Sequence, residues 1–221
     1  MRELALGLTA ALAVAGCAAT NASYPTPART VYQPPAPVTP NAFTDERAPL
    51  HSQLFACNGG GGSNIGETGY NAEVVRYTPF VTTPAGALLR NPTQGACLSS
   101  GFGWRGTASG GGRQHNGLDL ANRAGGFIYA AGDGWISNVG WLGGYGQVVE
   151  IDHGENVRTL YAHMSEVDPN LHSGMPIQAG AAIGRMGMTG NASGVHLHYE
   201  IYVDGVQVDP LGYDSQQPAM F

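Results

Sequence analysis

Residues 194–203 alternate between apolar and polar side chains, and this stretch limits the possible folds of the chain more than any other. Alternation with a period of two is typical of a β-strand with one face in the core and the other facing water. The apolar face carries Leu197, Tyr199, Ile201 and Val203, and the opposite face carries His196, His198, Glu200 and Tyr202. Two imidazoles on one strand face can share a metal site, or one can bind the metal while the other transfers protons. The pair alone leaves open a second interpretation, two surface histidines on an edge strand.

The composition favours short strands over helices. The chain has 34 glycines among 221 residues, and only 12% of its side chains are charged. So much glycine disfavours long helices and favours strands joined by glycine-rich turns. The pair Asp204-Gly205 lies between two alternating runs, which predicts a β-hairpin there. We therefore predict a mainly β protein with a single folded domain.

The charge pattern argues against one class of partner. All 10 basic residues are arginines, the net charge is −6, and the basic residues form no run. Proteins that bind nucleic acids carry basic patches or stripes. We therefore predict no nucleic-acid partner.

The N-terminus has the form of a targeting segment. A short charged start is followed by an apolar run over residues 4–16, which is too short to span a bilayer comfortably. The run ends in Val14-Ala15-Gly16-Cys17, which resembles the lipobox of bacterial lipoproteins, where the cysteine is acylated and becomes the new N-terminus. An ordinary signal peptide cleaved nearby is the alternative. Acylation of Cys17 would anchor the chain to a lipid membrane.

A proline-rich tether and a cysteine pair follow the targeting segment. Residues 18–50 hold 7 of the 14 prolines and show no hydrophobic period, so they cannot bury enough apolar surface to fold alone. We therefore divide the chain into a signal peptide over 1–16, a lipidated cysteine and tether over 17–50, and a lead-in over 51–97. If Cys17 is acylated, Cys57 and Cys97 remain in an oxidising compartment, where a disulfide between them is predicted. Two free thiols are the alternative.

Two further polar clusters precede the alternating strand. The first begins at His115 and ends at Asp119, and the second joins Tyr161 to His163. In an extended segment, a gap of four residues puts His115 and Asp119 on the same side. A set of two histidines and one aspartate leaves a fourth tetrahedral position open, which is the arrangement of a catalytic zinc site.

Taken in order, these clusters resemble a known family of enzymes. The pattern His115-x-x-x-Asp119, Tyr161-x-His163 and His196-x-His198 is similar to that of the lysostaphin-type (M23, LytM-like) zinc metallopeptidases of peptidoglycan. The resemblance implies an antiparallel-sheet peptidase domain over 98–221, with glycine-rich loops around a groove. It also implies that His115, Asp119 and His198 bind a zinc ion (Zn2+). His163 and His196 become the catalytic pair beside that ion.

The resemblance carries an expected function. It implies a zinc-dependent endopeptidase that hydrolyses the peptide cross-links of peptidoglycan, at the bond from D-alanine to meso-diaminopimelate, through a zinc-activated water and the histidine pair. The partners are then peptidoglycan peptide stems, and the location is the periplasm-facing side of the cell envelope, at the outer membrane. The alternative is a non-catalytic LytM-like lipoprotein that regulates a cell-wall amidase, since such relatives have lost metal ligands. All five positions are filled in this chain.

Overall fold

The computed structural model describes residues 47–57, 63–106 and 111–214, all within one unit, Tyr32–Phe221. The predicted signal peptide, the predicted lipidation site at Cys17 and the tether up to residue 46 lie outside the described residues. Among the described residues, no helix has the length and apolar character needed to cross a membrane.

Short strands account for nearly all the regular structure of the described residues. In chain order they are β1 (Phe80–Thr83), β2 (Gly86–Leu89), β3 (Cys97–Ser100), β4 (Gly103–Gly106), β5 (Gly112–His115), β6 (Leu118–Ala121), β7 (Phe127–Tyr129), β8 (Gly134–Leu142), β9 (Gly146–Gly154), β10 (Val157–Ala162), β11 (Met164–Val167), β12 (Pro176–Ile177), β13 (Ala182–Met186), β14 (His196–Val203) and β15 (Val206–Val208). A 3₁₀ turn, Gly143–Tyr145, joins β8 to β9. The prediction of a mainly β fold is confirmed.

One antiparallel sheet of eight strands forms the body of the domain. Its order is β12-β8-β9-β10-β14-β6-β3, and β15 pairs with β14. A second, three-stranded sheet has the order β11-β13-β7, and β4 and β5 form a separate hairpin. The prediction of an antiparallel-sheet domain is confirmed, and β14 lies in the middle of its main sheet.

The strand β14 contributes to the core on one face and to a polar cluster on the other. Leu197, Tyr199 and Ile201 are fully buried, as the alternation predicts. The opposite face is not open to water, since His198 is only 7% exposed and Glu200 is 0% exposed. The prediction of a solvated face was therefore wrong at these two positions, because neighbouring aromatic side chains cover them.

The hairpin predicted at Asp204-Gly205 is confirmed. Val203 pairs with Val206, and the two residues between them have φ angles of 51° and 79°. Two consecutive residues with positive φ are the requirement of the tight hairpin turn that matches the natural twist of the strands. Asp and Gly adopt this conformation at low cost, which fixes the end of β14 and the register of β15.

The lead-in segment packs into the same core as the strands that follow it. Leu54, Ile65 and Val74 belong to the hydrophobic cluster that also contains residues of β3 and β14. Full burial of a side chain of this type stabilises a fold by about 1.5–3 kcal/mol. Contacts with the domain begin even earlier in the chain, where Arg47 pairs with Ala181. The lead-in therefore contributes directly to the stability of the domain.

A disulfide between Cys57 and Cys97 joins the lead-in to the first strand of the main sheet. The two Cα atoms are 5.1 Å apart, and the sequence separation is 40 residues. A crosslink that closes a loop of this length removes entropy from the unfolded chain, which corresponds to roughly 4 kcal/mol in the chain-entropy model and often less in practice.

We expect the Cys57→Ser/Cys97→Ser double variant to melt at a temperature about 5–15 °C below that of the wild type, because 1 kcal/mol shifts the melting of a domain of this size by about 2–4 °C. Differential scanning calorimetry measures the difference. Adding reductant to the double variant is the control and should change nothing. Peptide mapping that found both cysteines as free thiols in the wild type would contradict the assignment.

Candidate metal and catalytic site

A groove in the surface is lined by parts of β4, β5, β6 and β14 and by residues of the loops at 143–145 and 191–193. Three side chains from three strands converge on one point of this groove. His115 ends β5, Asp119 lies on β6, and His198 lies on β14 directly opposite Asp119 in the register of the sheet. The Nε2 atom of His115 is 3.0 Å from Oδ1 of Asp119 and 3.1 Å from Nδ1 of His198. The distance from Nδ1 of His198 to Oδ1 of Asp119 is 2.9 Å. The structure thus brings together the three residues predicted as zinc ligands.

The close approach of β6 to β14 depends on a glycine between two of these residues. A Cβ atom on Gly117 would lie 2.2 Å from the carbonyl oxygen of Tyr199. No other residue fits there without moving the backbone, so glycine lets the segment after His115 lie directly beside β14. The sequence His-Asn-Gly-Leu-Asp therefore places both ligands against His198.

Hydrogen bonds on the far side of each imidazole fix which nitrogen faces the metal position. Nδ1 of His115 is 2.6 Å from the carbonyl oxygen of Gly101, and because a carbonyl only accepts, this nitrogen donates its proton and leaves Nε2 free. Nε2 of His198 is 2.9 Å from Oε1 of Glu200, which leaves Nδ1 free. Metal-binding histidines characteristically donate their second N–H to a carbonyl or carboxylate.

The donor set fits a zinc ion. Zinc binds histidine and aspartate at about 2.0–2.2 Å in tetrahedral geometry, so ligand atoms should lie about 3.3 Å apart. The three donor atoms lie 2.9–3.1 Å apart, slightly closer than this spacing. They are also the group of metal-ligating residues that the described part of the chain brings within 4.8 Å of one another. Three lone pairs directed at one point repel each other unless a cation or a proton lies between them.

The carboxylates of Asp119 and Glu200 favour a positive charge at the metal position. Burial alone would raise the pKa of Asp119, but the close polar contacts of its carboxylate with the imidazoles of His115 and His198 lower it strongly. Burial would lower the pKa of His198, whereas its bonds to Asp119 and Glu200 raise it to about 9. The metal-free site therefore holds a proton on His198 at neutral pH, and a metal ion must displace that proton.

The two remaining histidines lie beside the ligand set with one nitrogen each free. Nδ1 of His163 is 2.8 Å from the carbonyl oxygen of Thr189, and Nδ1 of His196 is 2.8 Å from that of Gly194. Both therefore keep Nε2 available as a base. The ring centroids of His163 and His196 are 4.8 Å apart, and Nε2 of His196 is 3.6 Å from Oδ1 of Asp119.

The backbone of His163 has an uncommon conformation. Its φ angle is +61°, in the left-handed region that few residues other than glycine adopt. This conformation ends β10 and places the histidine in the lining of the groove. Backbone strain of this kind costs about 1–3 kcal/mol and is concentrated at functional sites.

The structure adds residues that the sequence patterns did not assign. Arg105 donates to Oδ2 of Asp119 over 2.7 Å, so the second oxygen of the aspartate is held by a guanidinium. Glu200 accepts hydrogen bonds from Tyr145 and Tyr202 as well as from His198. Glu200 shares a strand face with the two histidines, so its position was visible in the alternation, and orienting one of them was one of two open interpretations. The sequence patterns assigned no role to Tyr145.

We expect Glu200→Gln to weaken zinc binding about 10–100-fold, as loss of the carboxylate behind a metal-binding histidine typically does. The buried carboxylate fixes the tautomer of His198 and adds negative charge to the site. Competition with a fluorescent zinc chelator measures the affinity, and circular dichroism checks the fold. Glu166→Gln, which removes an exposed carboxylate paired with Arg185, is the control. Equal zinc affinity in the wild type and in Glu200→Gln would contradict this role.

A comparison with protein families identifies the domain. Residues 113–210, which contain all five histidine and aspartate positions of the site, match the family described as Peptidase family M23. This segment of the chain is therefore similar to an M23 peptidase domain. The matched segment starts in β5, so β1 to β4 and the lead-in lie outside it.

Relatives with curated names are similar to this chain over a little less than half of its length. Peptidoglycan DD-endopeptidase ShyA of Vibrio cholerae is 37% identical over 100 residues, which are 44% of this chain and 22% of ShyA. Lipoprotein YgeR of Escherichia coli is 40% identical over 108 residues, which are 48% of this chain and 41% of YgeR. This chain therefore spans less than half the length of either relative.

A solved structure resembles the M23 domain in three dimensions. It is a crystal structure of a zinc-containing peptidase from Vibrio cholerae, with a TM-score of 0.54 and 26% sequence identity. The superposition covers 61% of this chain and 46% of that one. The similarity supports the fold.

Proposed function

We propose that this protein is a zinc-dependent peptidoglycan endopeptidase that hydrolyses peptide cross-links. One observation carries the proposal: two histidines with free Nε2 atoms, His163 and His196, lie beside a three-residue metal site that leaves a coordination position open. The domain family and the name of the relative ShyA support peptide cross-links of the cell wall as the substrate. The proposed bond joins D-alanine to meso-diaminopimelate.

The residues of the groove have different roles in the proposed reaction. A zinc ion held by His115, Asp119 and His198 would act as a Lewis acid on the scissile carbonyl and would lower the pKa of water to about 7. Burial, followed by repulsion from His196 and His198, lowers the pKa of His163. This imidazole is therefore neutral at pH 7 and can accept a proton at Nε2. The resulting imidazolium is the acid that protonates the leaving amine.

The non-catalytic alternative, a regulator of a cell-wall amidase, is the weaker proposal. Such a regulator has no need for a complete ligand set or for two free imidazoles. In this groove all five positions are filled, and each histidine has a partner that fixes its tautomer. The complete set of metal ligands and free imidazoles therefore favours an enzyme.

Digestion of purified cross-linked muropeptides tests the proposed activity. We expect the zinc-loaded protein to convert cross-linked dimers to monomers, as followed by liquid chromatography and mass spectrometry. Treatment with a chelator should stop the conversion, and added zinc should restore it. Zinc-loaded protein that leaves the dimers intact, yet activates a purified amidase, would replace this proposal with the regulator.

We also propose that Cys17 is acylated and that residues 17–50 tether the domain to a membrane of the cell envelope, at the outer membrane. The lipobox-like sequence around Cys17 supports this, and so does the name of the relative YgeR. An anchored enzyme acts only on bonds within reach of its linker. Mass spectrometry of the mature N-terminus tests the proposal, and a mature chain without acyl groups on Cys17 would refute it.

A further inference from the structure

Two arginines face each other across the β4–β5 hairpin at the edge of the groove. Arg105 and Arg113 are direct partners in the antiparallel register, and both line the groove. The Cβ atoms of such partners are about 4.5–5.5 Å apart, and like charges at this distance destabilise a hairpin. The pair is favourable only where negative charge compensates it.

The described residues compensate only one of the two arginines. Arg105 is paired with Asp119 over 2.7 Å. The ion pairs of the described residues include none to Arg113, whose side chain is exposed. The other carboxylate of the groove, Glu200, is fully buried and bonded to histidine and tyrosine side chains. Arg113 is therefore the cation that remains available to a ligand.

The position of Arg113 determines which part of a ligand it can reach. It lies two residues before the metal ligand His115 on β5, so the two side chains share a face of the strand. Their Cα atoms are then about 6.6 Å apart, at about 3.3 Å per residue. The long arginine side chain can therefore contact atoms within a few bonds of a peptide carbonyl at the metal position.

The charge of the groove differs in sign from that of the protein. The two arginines balance the carboxylates of Asp119 and Glu200, so a bound zinc ion leaves the groove positive. The whole chain has a net charge of −6. A positive groove in an acidic protein favours an anionic substrate and disfavours a neutral one.

We propose that Arg113 binds a substrate carboxylate next to the scissile bond, so that the domain selects cross-links in which this carboxylate is free over those in which it is amidated. This inference rests on the proposed endopeptidase function. In a cross-link from D-alanine to meso-diaminopimelate, the carbon that carries the scissile nitrogen also carries a carboxylate. A guanidinium binds a carboxylate through two parallel, charge-assisted hydrogen bonds.

The test compares two cross-linked peptides that differ only in having a carboxylate or a carboxamide at this position. For the wild type we expect kcat/KM to be about tenfold higher for the free acid, mostly through KM. For Arg113→Gln we expect the ratio between the two peptides to fall close to one, and for Arg113→Lys to be intermediate. Arg123→Gln, which changes an exposed arginine outside the groove lining, is the control and should keep the wild-type ratio.

The possible outcomes separate this inference from the proposed function. Equal kcat/KM for both peptides in the wild type would overturn the inference and leave the endopeptidase activity standing. A wild-type ratio retained in Arg113→Gln would overturn the role of Arg113. If the wild type cleaves neither peptide, the proposed function fails, and calorimetric binding of both peptides to zinc-loaded protein decides the inference. Tighter binding of the free acid that Arg113→Gln abolishes would then support it, and equal binding would refute it.

Discussion

His163→Ala and His196→Ala are expected to retain zinc and the fold while losing about 10²–10⁴-fold in turnover, the usual contribution of a positioned acid or base. Neither side chain belongs to the group of three that converges on the metal position. Each holds its free Nε2 beside that group through a bond from Nδ1 to a backbone carbonyl. Replacing either histidine therefore eliminates its proton transfer but leaves the three metal ligands in place.

Kinetics on cross-linked muropeptides, with zinc stoichiometry measured on the same samples, checks this expectation. His172→Ala removes an exposed histidine outside the groove lining and is the matched control. Cleavage at the wild-type rate by both variants would contradict the catalytic pair. Loss of zinc in His196→Ala alone would show that the two histidines of β14 have exchanged roles.

The pH dependence provides an independent check on His163. Burial lowers the pKa of its imidazole, and the neighbouring histidines lower it further, so the neutral base persists below the ordinary value of 6.5. Activity should therefore be present at neutral pH and should be lost as the pH falls through this lowered pKa. In His163→Ala the residual activity should no longer follow this titration.

Asp119→Ala is expected to lose zinc and, with it, nearly all activity. The carboxylate supplies the only negative ligand of the three, and its Oδ1 atom is within 3.0 Å of both ligand nitrogens. Its removal also leaves the guanidinium of Arg105 without the carboxylate that now compensates it. The two neutral imidazoles that remain cannot hold a dication as tightly as a set that includes a carboxylate.

Elemental analysis after dialysis measures the zinc that remains per chain, and the shift in melting temperature on adding zinc measures binding by mass action. Asp152→Asn, which alters a carboxylate outside the groove, is the control. Stoichiometric zinc in Asp119→Ala would remove the ligand assignment. In the wild type, zinc affinity should fall as the pH decreases below about 9, because His198 is then protonated in the metal-free site.

The spacing of polar residues in the sequence indicates which side chains share a face, and the resemblance to a peptidase family supplied the proposed role of each. His196 and His198 alternate with apolar residues, so they share a face wherever a strand forms. The glycine between His115 and Asp119 disfavours a helix, and in the structure it permits close contact with β14. Which side chains of one strand share a face depends only on residues that are close in the chain, so the sequence alone determines it.

The tertiary structure alone decided how those residues are surrounded. Glu200 is buried and accepts a hydrogen bond from Tyr145, which lies 55 residues earlier in the chain, and no local pattern joins the two. Arg105 and Arg113 face each other because of the register of the β4–β5 hairpin. A shift of this register by one residue would turn one of the two side chains away from the groove. Register and long-range burial are set by the packing of the whole core, whereas the order of ligand and base along each strand is set by the period of the strand itself.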